Sequence, residues 1–208
     1  MHNLQLSYFD IHGGRGEPIR LALAIGGVPF EDHRVKPADW PAYKPSTPFG
    51  AMPVLTVDGR AVSQSNSILR FVGKLSDLYP SDPLQALLCD EIMDAAEDAN
   101  GLLAPTHVIK DPVELKAARE ALAAGKLAAY VASLAGHLDP ESGWFADGRM
   151  TVADLKVFTF TRYLRSGRID HLPVDLVERV APALIGHHDR VRQHPGVTKW
   201  YADHGVSY

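Results

Sequence analysis

The hydrophobic pattern changes its period along the chain. Leu4-Gln5-Leu6-Ser7-Tyr8-Phe9 alternates apolar and polar positions, as one strand of a half-buried sheet does. The glycine-rich turn His12-Gly13-Gly14-Arg15-Gly16 follows, and Glu17 to Ala24 then reads as a helix with Pro18 in its first turn and Gly26-Gly27 at its end. Pro29 to Val35 is a second strand, and Val54–Val57 with Arg60–Val62 forms a hairpin around Asp58-Gly59. Ser65 to Leu75 returns to helical spacing. The order βαβ, an irregular stretch, then ββα predicts a mixed sheet with helices packed on it.

Beyond Pro83 the period is helical throughout. Long helices are expected over Leu84–Leu103 and Pro112–His137, with a further one over Val174–Gln193 interrupted at Pro182. Thr151-Val152-Ala153-Asp154 has the spacing of a capping box with Asp in the usual Glu position, starting a helix that runs through Tyr163. The expected fold is therefore α/β plus all-α. An N-terminal βαβ-ββα domain covers residues 1–76, a linker rich in Pro and Asp covers 77–83, and a helical bundle covers 84–208.

Composition supports the division. Of the 15 prolines, 9 precede Leu84; residues 1–80 carry 8 Lys+Arg against 7 Asp+Glu, while the rest carries 13 against 18. The net charge of −4 supplies no basic footprint for nucleic acid or an anionic membrane. No run without Asp, Glu, Lys or Arg is long enough to span a bilayer. Met1–Gln5 lacks the cationic start of a signal peptide, and the single Cys89 excludes an internal disulfide and a CxxC pair, so a cytoplasmic location is expected.

Four places carry candidate chemistry. Tyr8 ends a strand close to Arg15 and the glycine turn; its hydroxyl is either a donor to an anion or a satisfied core group. Met52-Pro53 precedes a strand, where a cis proline leaves neighbouring backbone groups open to an extended peptide and a trans one merely starts the strand. Gln64-Ser65 opens a helix; Ser65 is a natural N-cap, and the helix start is a seat for a carboxylate or simply a cap. Asp90, Asp94 and Asp98 share a helix face with Glu91 and Glu97 nearby, either a solvated surface or a grip for an ammonium group or a divalent cation. The ten histidines show no zinc spacing, no GxSxG elbow is present, and Cys89 is expected to pack in a core.

These pieces, in order, resemble a cytosolic glutathione S-transferase, most closely the sigma class that includes the haematopoietic prostaglandin D synthases. The residues are Leu6-Ser7-Tyr8-Phe9, Arg15-Gly16-Glu17-Pro18-Ile19-Arg20, Glu31-Asp32-His33-Arg34, Ala38-Asp39-Trp40-Pro41, Pro48-Phe49-Gly50, Met52-Pro53-Val54-Leu55, Val57-Asp58-Gly59 and Gln64-Ser65-Asn66-Ser67-Ile68. The resemblance implies a thioredoxin-like N-terminal domain and an all-α domain beside it. It implies glutathione as co-substrate with no metal, a hydrophobic electrophile as second substrate, and a homodimer. Tyr8 takes the position of the catalytic tyrosine, with Arg15 beside it. Trp40, Lys44, Met52, Pro53, Gln64 and Ser65 take glutathione-site positions, and Asp98 that of an acid reaching the site from the other subunit. Phe9, Gly14, Leu102 and Thr106 line the electrophile site, with residues Tyr201–Tyr208 closing it. Phe49 is a candidate apolar anchor into the partner or a residue packed on its own domain. The turn at His12–Arg15 is one residue longer than the sigma pattern, Ala51 stands where many members carry a lysine, and Asn66 and Ser67 replace apolar or alanine residues. A glutathione-binding structural or ligand-carrying member with little turnover is the alternative. A redox role lacks a suitable nucleophile, since Ser7 points to the opposite face of the strand from Tyr8.

Overall fold

The computed structural model describes residues 2–206, which divide into two compact units: the residues up to Ser81 together with those from Gln193 onward, and Asp82–Arg192. The first unit is built on a four-stranded sheet of order β2-β1-β3-β4, with β1 Leu4–Phe9, β2 Glu31–Val35, β3 Val54–Val57 and β4 Arg60–Ser63. β1 runs parallel to β2, and that pairing needs the crossover that α1 (Glu17–Ile25) supplies. β3 and β4 are antiparallel, joined at Asp58-Gly59, where both residues have positive φ as a tight primed turn requires. The mixed sheet with helices packed on it is what the βαβ-ββα order predicts, and it is the thioredoxin-like architecture that the resemblance implies.

Leu6 and Leu55 face each other in register at the centre of the sheet and are almost wholly buried. α2 (Trp40–Tyr43) is a single turn before the irregular stretch, and α3 (Ser65–Leu75) buries Ile68, Leu69 and Val72, one apolar stripe at helical spacing, packing on α1. α1 is buried over Glu17–Leu23, including the charged Glu17 and Arg20.

The second unit is all helical: α4 Pro83–Gly101, α5 Pro112–Ala124, α6 Lys126–Gly136, α7 Val152–Leu164, α8 Leu176–Val180 and α9 Ala183–Arg192. Asp82 caps α4 through bonds from the N–H groups of Leu84 and Gln85, at 3.0 and 2.9 Å. α7 is buried on nearly every side and packs against α4 and α9, so it is the core helix of the unit. Its capping box forms as the spacing predicts: the Asp154 carboxylate accepts from the Thr151 N–H at 2.7 Å. The same carboxylate takes the Thr151 hydroxyl at 2.8 Å, the Phe145 N–H at 3.3 Å and His187 Nε2 at 3.0 Å.

Two expectations change. The single helix over Pro112–His137 is two helices, because Gly125 leaves helical geometry (φ −129°, ψ −114°), ending α5 and opening α6. Ser65 is the first residue of α3, not its N-cap; Gln64 holds the cap position with φ +77° and no side-chain cap bond. The C-terminal stretch forms α10 (Pro195–Asp203), which packs on α1 within the first unit. No helix among the described residues is long and apolar enough to cross a membrane.

Candidate functional site: a tyrosine enclosed by a glycine turn

Tyr8 sits at the end of β1 with its ring buried. Its hydroxyl accepts a hydrogen bond from the backbone N–H of Arg15 at 3.0 Å. The close wrapping explains the glycines. Gly14 has φ +64°, and a Cβ there would lie 2.5 Å from the Tyr8 hydroxyl oxygen; a Cβ on Gly16 would collide with the ring. The turn is thus shaped around the phenol by backbone alone. Arg15 is half-buried in the short 3-10 turn Gly14–Gly16. Phe9 meets the Tyr8 ring edge-on at 5.6 Å and the half-buried Trp40 ring at 5.5 Å.

The other candidates of the first unit follow along the chain. Lys44 is exposed, and its stem runs over Gly50, which has φ +61°. The Met52–Pro53 bond is cis, with Met52 half-buried and Pro53 buried just before β3. Gln64 is exposed and Ser65 buried at the N-terminal end of α3. Asp98 is exposed on α4 in the second unit, and Leu102 follows that helix half-buried. Thr106 is buried; its hydroxyl donates to the Leu103 carbonyl at 2.7 Å and accepts from Arg119 Nε at 3.2 Å, which ties it to packing within its own unit. Phe49 is 72% exposed, so of its two readings packing on its own domain does not hold. Of the C-terminal residues assigned to closing the site, Ser207 and Tyr208 lie outside the described residues.

A charged cluster beside Tyr8 was not anticipated. Arg20 is fully buried with its guanidinium 5.8 Å from the Tyr8 ring centroid. It donates to the carbonyls of Ile11 at 2.8 Å and Phe9 at 3.3 Å, and pairs with Glu17 at 3.3 Å and Asp32 at 2.9 Å. Burial pushes the Glu17 carboxyl up, but the facing His12 imidazole, the charge of Arg20 and the hydrogen bond from the Trp200 indole more than offset it, so its pKa lies below the ordinary value. The available sequence signal was an Arg one turn after a Glu in an otherwise apolar helix, with Asp32 and Arg34 on one face of β2.

The remaining candidates resolve plainly. Ser7 is buried on the opposite face and bonds His33 on β2 at 2.9 Å. Cys89 is buried, and desolvation pushes its thiol up to about 11, so it is an inert core residue. Glu97 leaves the acidic face to pair with Lys156 at 2.6 Å, and among the described residues no three His, Cys, Asp or Glu side chains converge to hold a metal. A cavity of about 630 Å³ lies within the second unit between α4 and the loop before α7. Polar groups on its wall are spent on shaping that loop: Asp139 accepts from the N–H groups of Glu141 and Ser142, and Gln85 accepts from that of Asp147 at 2.6 Å.

Comparison with known proteins agrees with this architecture. The model of the glutathione S-transferase N-terminal domain matches residues 16–75, and that of the C-terminal domain matches residues 98–204. The chain belongs to the glutathione S-transferase family, whose members use glutathione as co-substrate, and is a glutathione transferase. Within the family its similarities are to the sigma class. It is 33% identical over 200 residues to the hematopoietic prostaglandin D synthase of Gallus gallus, covering 96% of each chain. It is 32% identical over 199 residues to glutathione S-transferase S1 of Drosophila melanogaster, covering 96% of this chain and 78% of that one. The solved structure of prostaglandin synthase D of Nilaparvata lugens matches with a TM-score of 0.86 at 28% identity, over 96% of this chain and 97% of that one.

Proposed function

We propose that the protein conjugates glutathione to hydrophobic electrophiles, with the Tyr8 hydroxyl stabilising the glutathione thiolate. The observation that carries this reading is the bond from the Arg15 N–H to the Tyr8 oxygen at 3.0 Å. A phenol that accepts a hydrogen bond is polarised to donate its own proton more strongly. A free thiol ionises near pH 8.5, so it is mostly neutral at pH 7. A donor that bonds the anion more strongly than the thiol lowers that value, at about 1.4 kcal/mol per unit. The thiolate then attacks the electrophilic carbon. With 1-chloro-2,4-dinitrobenzene the C–S bond forms, the C–Cl bond breaks, chloride leaves, and the thiol proton goes to solvent.

The residues around Tyr8 divide the tripeptide among them. The backbone of Met52, before Pro53, pairs with the cysteinyl unit in strand-like fashion. Gln64, Ser65 and the positive end of α3 hold the γ-glutamyl carboxylate. Trp40 and Lys44 hold the glycyl end. Asp98 reaches the γ-glutamyl amine of the other subunit's site, which makes the working form a homodimer, with the exposed Phe49 as an apolar anchor into the partner. Phe9, Gly14 and Leu102 face the electrophile, and Arg15 adds positive potential near the sulfur. The longer turn and Ala51 depart from the sigma pattern, so a generic aryl chloride rather than a prostaglandin is the first electrophile to test.

Tyr8→Phe tests the reading. It is expected to lower turnover by about one to three orders of magnitude with little change in glutathione affinity, because the lost donor serves mostly the thiolate. Retention on immobilised glutathione with no conjugation by the wild type would instead mark a ligand-carrying protein. Equal rates for Tyr8→Phe and wild type across pH 6–8 would remove Tyr8 from the mechanism.

A further inference from the structure

The charged groups beside Tyr8 close on themselves. Arg20 joins Glu17 at 3.3 Å and Asp32 at 2.9 Å. Asp32 holds Arg34 Nε at 2.8 Å, and Arg34 Nη1 lies 3.2 Å from His12 Nε2. His12 Nδ1 lies 3.6 Å from Glu17 Oε1, which completes the circuit. Three segments contribute: Glu17 and Arg20 from α1, Asp32 and Arg34 from β2, and His12 from the turn that encloses the phenol. Asp10 adds a contact to Arg34 at 3.4 Å, and Trp200 on α10 donates to Glu17 at 3.2 Å. The rings of His204 and Tyr201 flank His12 at 5.5 and 6.5 Å.

The tautomer of His12 follows from this arrangement. A guanidinium only donates, so His12 Nε2 must accept from Arg34 and carries no proton. The imidazole proton then sits on Nδ1, facing the Glu17 carboxylate. His12 brings a side chain of the turn into the circuit, and it lies two residues before Gly14, which packs against the Tyr8 hydroxyl, and three before the N–H that bonds it.

We propose that His12 is a positioning residue for Tyr8: by accepting from Arg34 and facing Glu17 it ties the turn to β2 and α1, and so holds Gly14 and the Arg15 N–H against the phenol. The consequence for turnover rests on the Tyr8 reading above, whereas the consequence for the turn does not. Amide hydrogen exchange of the full-length protein, measured without glutathione, separates the two. In His12→Ala the Arg15 amide is expected to exchange about tenfold faster or more, with the amides of β1 and β3 unchanged. In conjugation of chlorodinitrobenzene the same variant loses about tenfold in kcat while KM for glutathione moves less than twofold. His12→Gln, whose amide oxygen can take the Arg34 donor, restores both readouts most of the way. His12 keeps 22% of its side chain exposed, so these variants are expected to fold. If His12→Ala does not fold, Arg34→Gln opens the circuit from β2 and carries the same expectations. Unchanged exchange at Arg15, a Gln variant as impaired as Ala, or faster exchange with unaltered kcat would each overturn the proposal. A wild type that fails to conjugate would overturn the functional reading alone, since the exchange data still decide the role of His12 in the turn.

Discussion

Each unit contains a buried polar cluster, and the two are put to different uses. In the second unit Asp154 gathers four donors, from Thr151, Phe145 and His187, at the start of the core helix α7. Asp154 and His187 are sealed from solvent, and the cluster fixes one helix start to the preceding loop and to α9. In the first unit the cluster around Arg20 is sealed only at its inner end. Glu17 and Arg20 are fully buried, whereas Asp32, Arg34 and His12 remain partly exposed. Its outer members hold a turn rather than a helix, and that turn touches a phenol. A hydrogen-bonded polar cluster gives rigidity wherever it lies. What distinguishes the first is that the rigidity is delivered to a titratable hydroxyl.

The sharpest break in this comparison is Asp154→Ala. It leaves a buried imidazole and three other donors without their acceptor, and is expected to cost about 3–5 kcal/mol. Urea denaturation should show the loss, and glutathione retention should survive wherever the protein remains folded. Gly14→Ala is the counterpart in the first unit. It imposes φ +64° on an L-residue and drives a methyl into the Tyr8 hydroxyl. We expect about 1–3 kcal/mol of destabilisation together with about a tenfold loss of kcat, measured by thermal melting and initial rates. Asp154→Ala thus strikes stability first, and Gly14→Ala strikes stability and chemistry together.

Acidification should have a smaller effect, in two stages. Desolvation by burial lowers the pKa of His188 in the second unit and of His194 at the head of α10. The unfolded chain therefore binds these protons first, so the stability tied to neutral imidazoles is present above about pH 6.5 and is lost as pH falls below it. Glu17 is a carboxyl with a lowered pKa; its contribution is present above about pH 4.3 and is lost as pH falls through the folded value. A melting temperature that falls first between pH 7 and 5, then again in the carboxylate range, is the expected profile. Replacing His188 by Gln should flatten only the first stage.

Much of this was legible from local rules. The Asp58-Gly59 hairpin, the alternation of β1 and the Thr151–Asp154 box depend on neighbours within a few residues, and all three form as the pattern implies. The expected glycine turn beside Tyr8 is also present, with the Arg15 N–H bonded to the Tyr8 hydroxyl. What escaped depends on contacts between distant segments. Trp200 reaches Glu17 across 183 residues, and helical periodicity alone cannot say which unit α10 covers. The burial of Arg20 is not written in the helix pattern, which records polarity and not its partners on β2 and the turn. Gly125 inside a long apolar period gave no sign of whether the helix bends or breaks.

The central claim is tested most directly by titrating the thiolate absorption of glutathione bound to the wild type and to Tyr8→Phe. The wild type should ionise the bound thiol well below the free value of about 8.5, and the phenylalanine variant should return it toward that value. Coincident titration curves would contradict the account, because the phenol would then favour neither form of the sulfur.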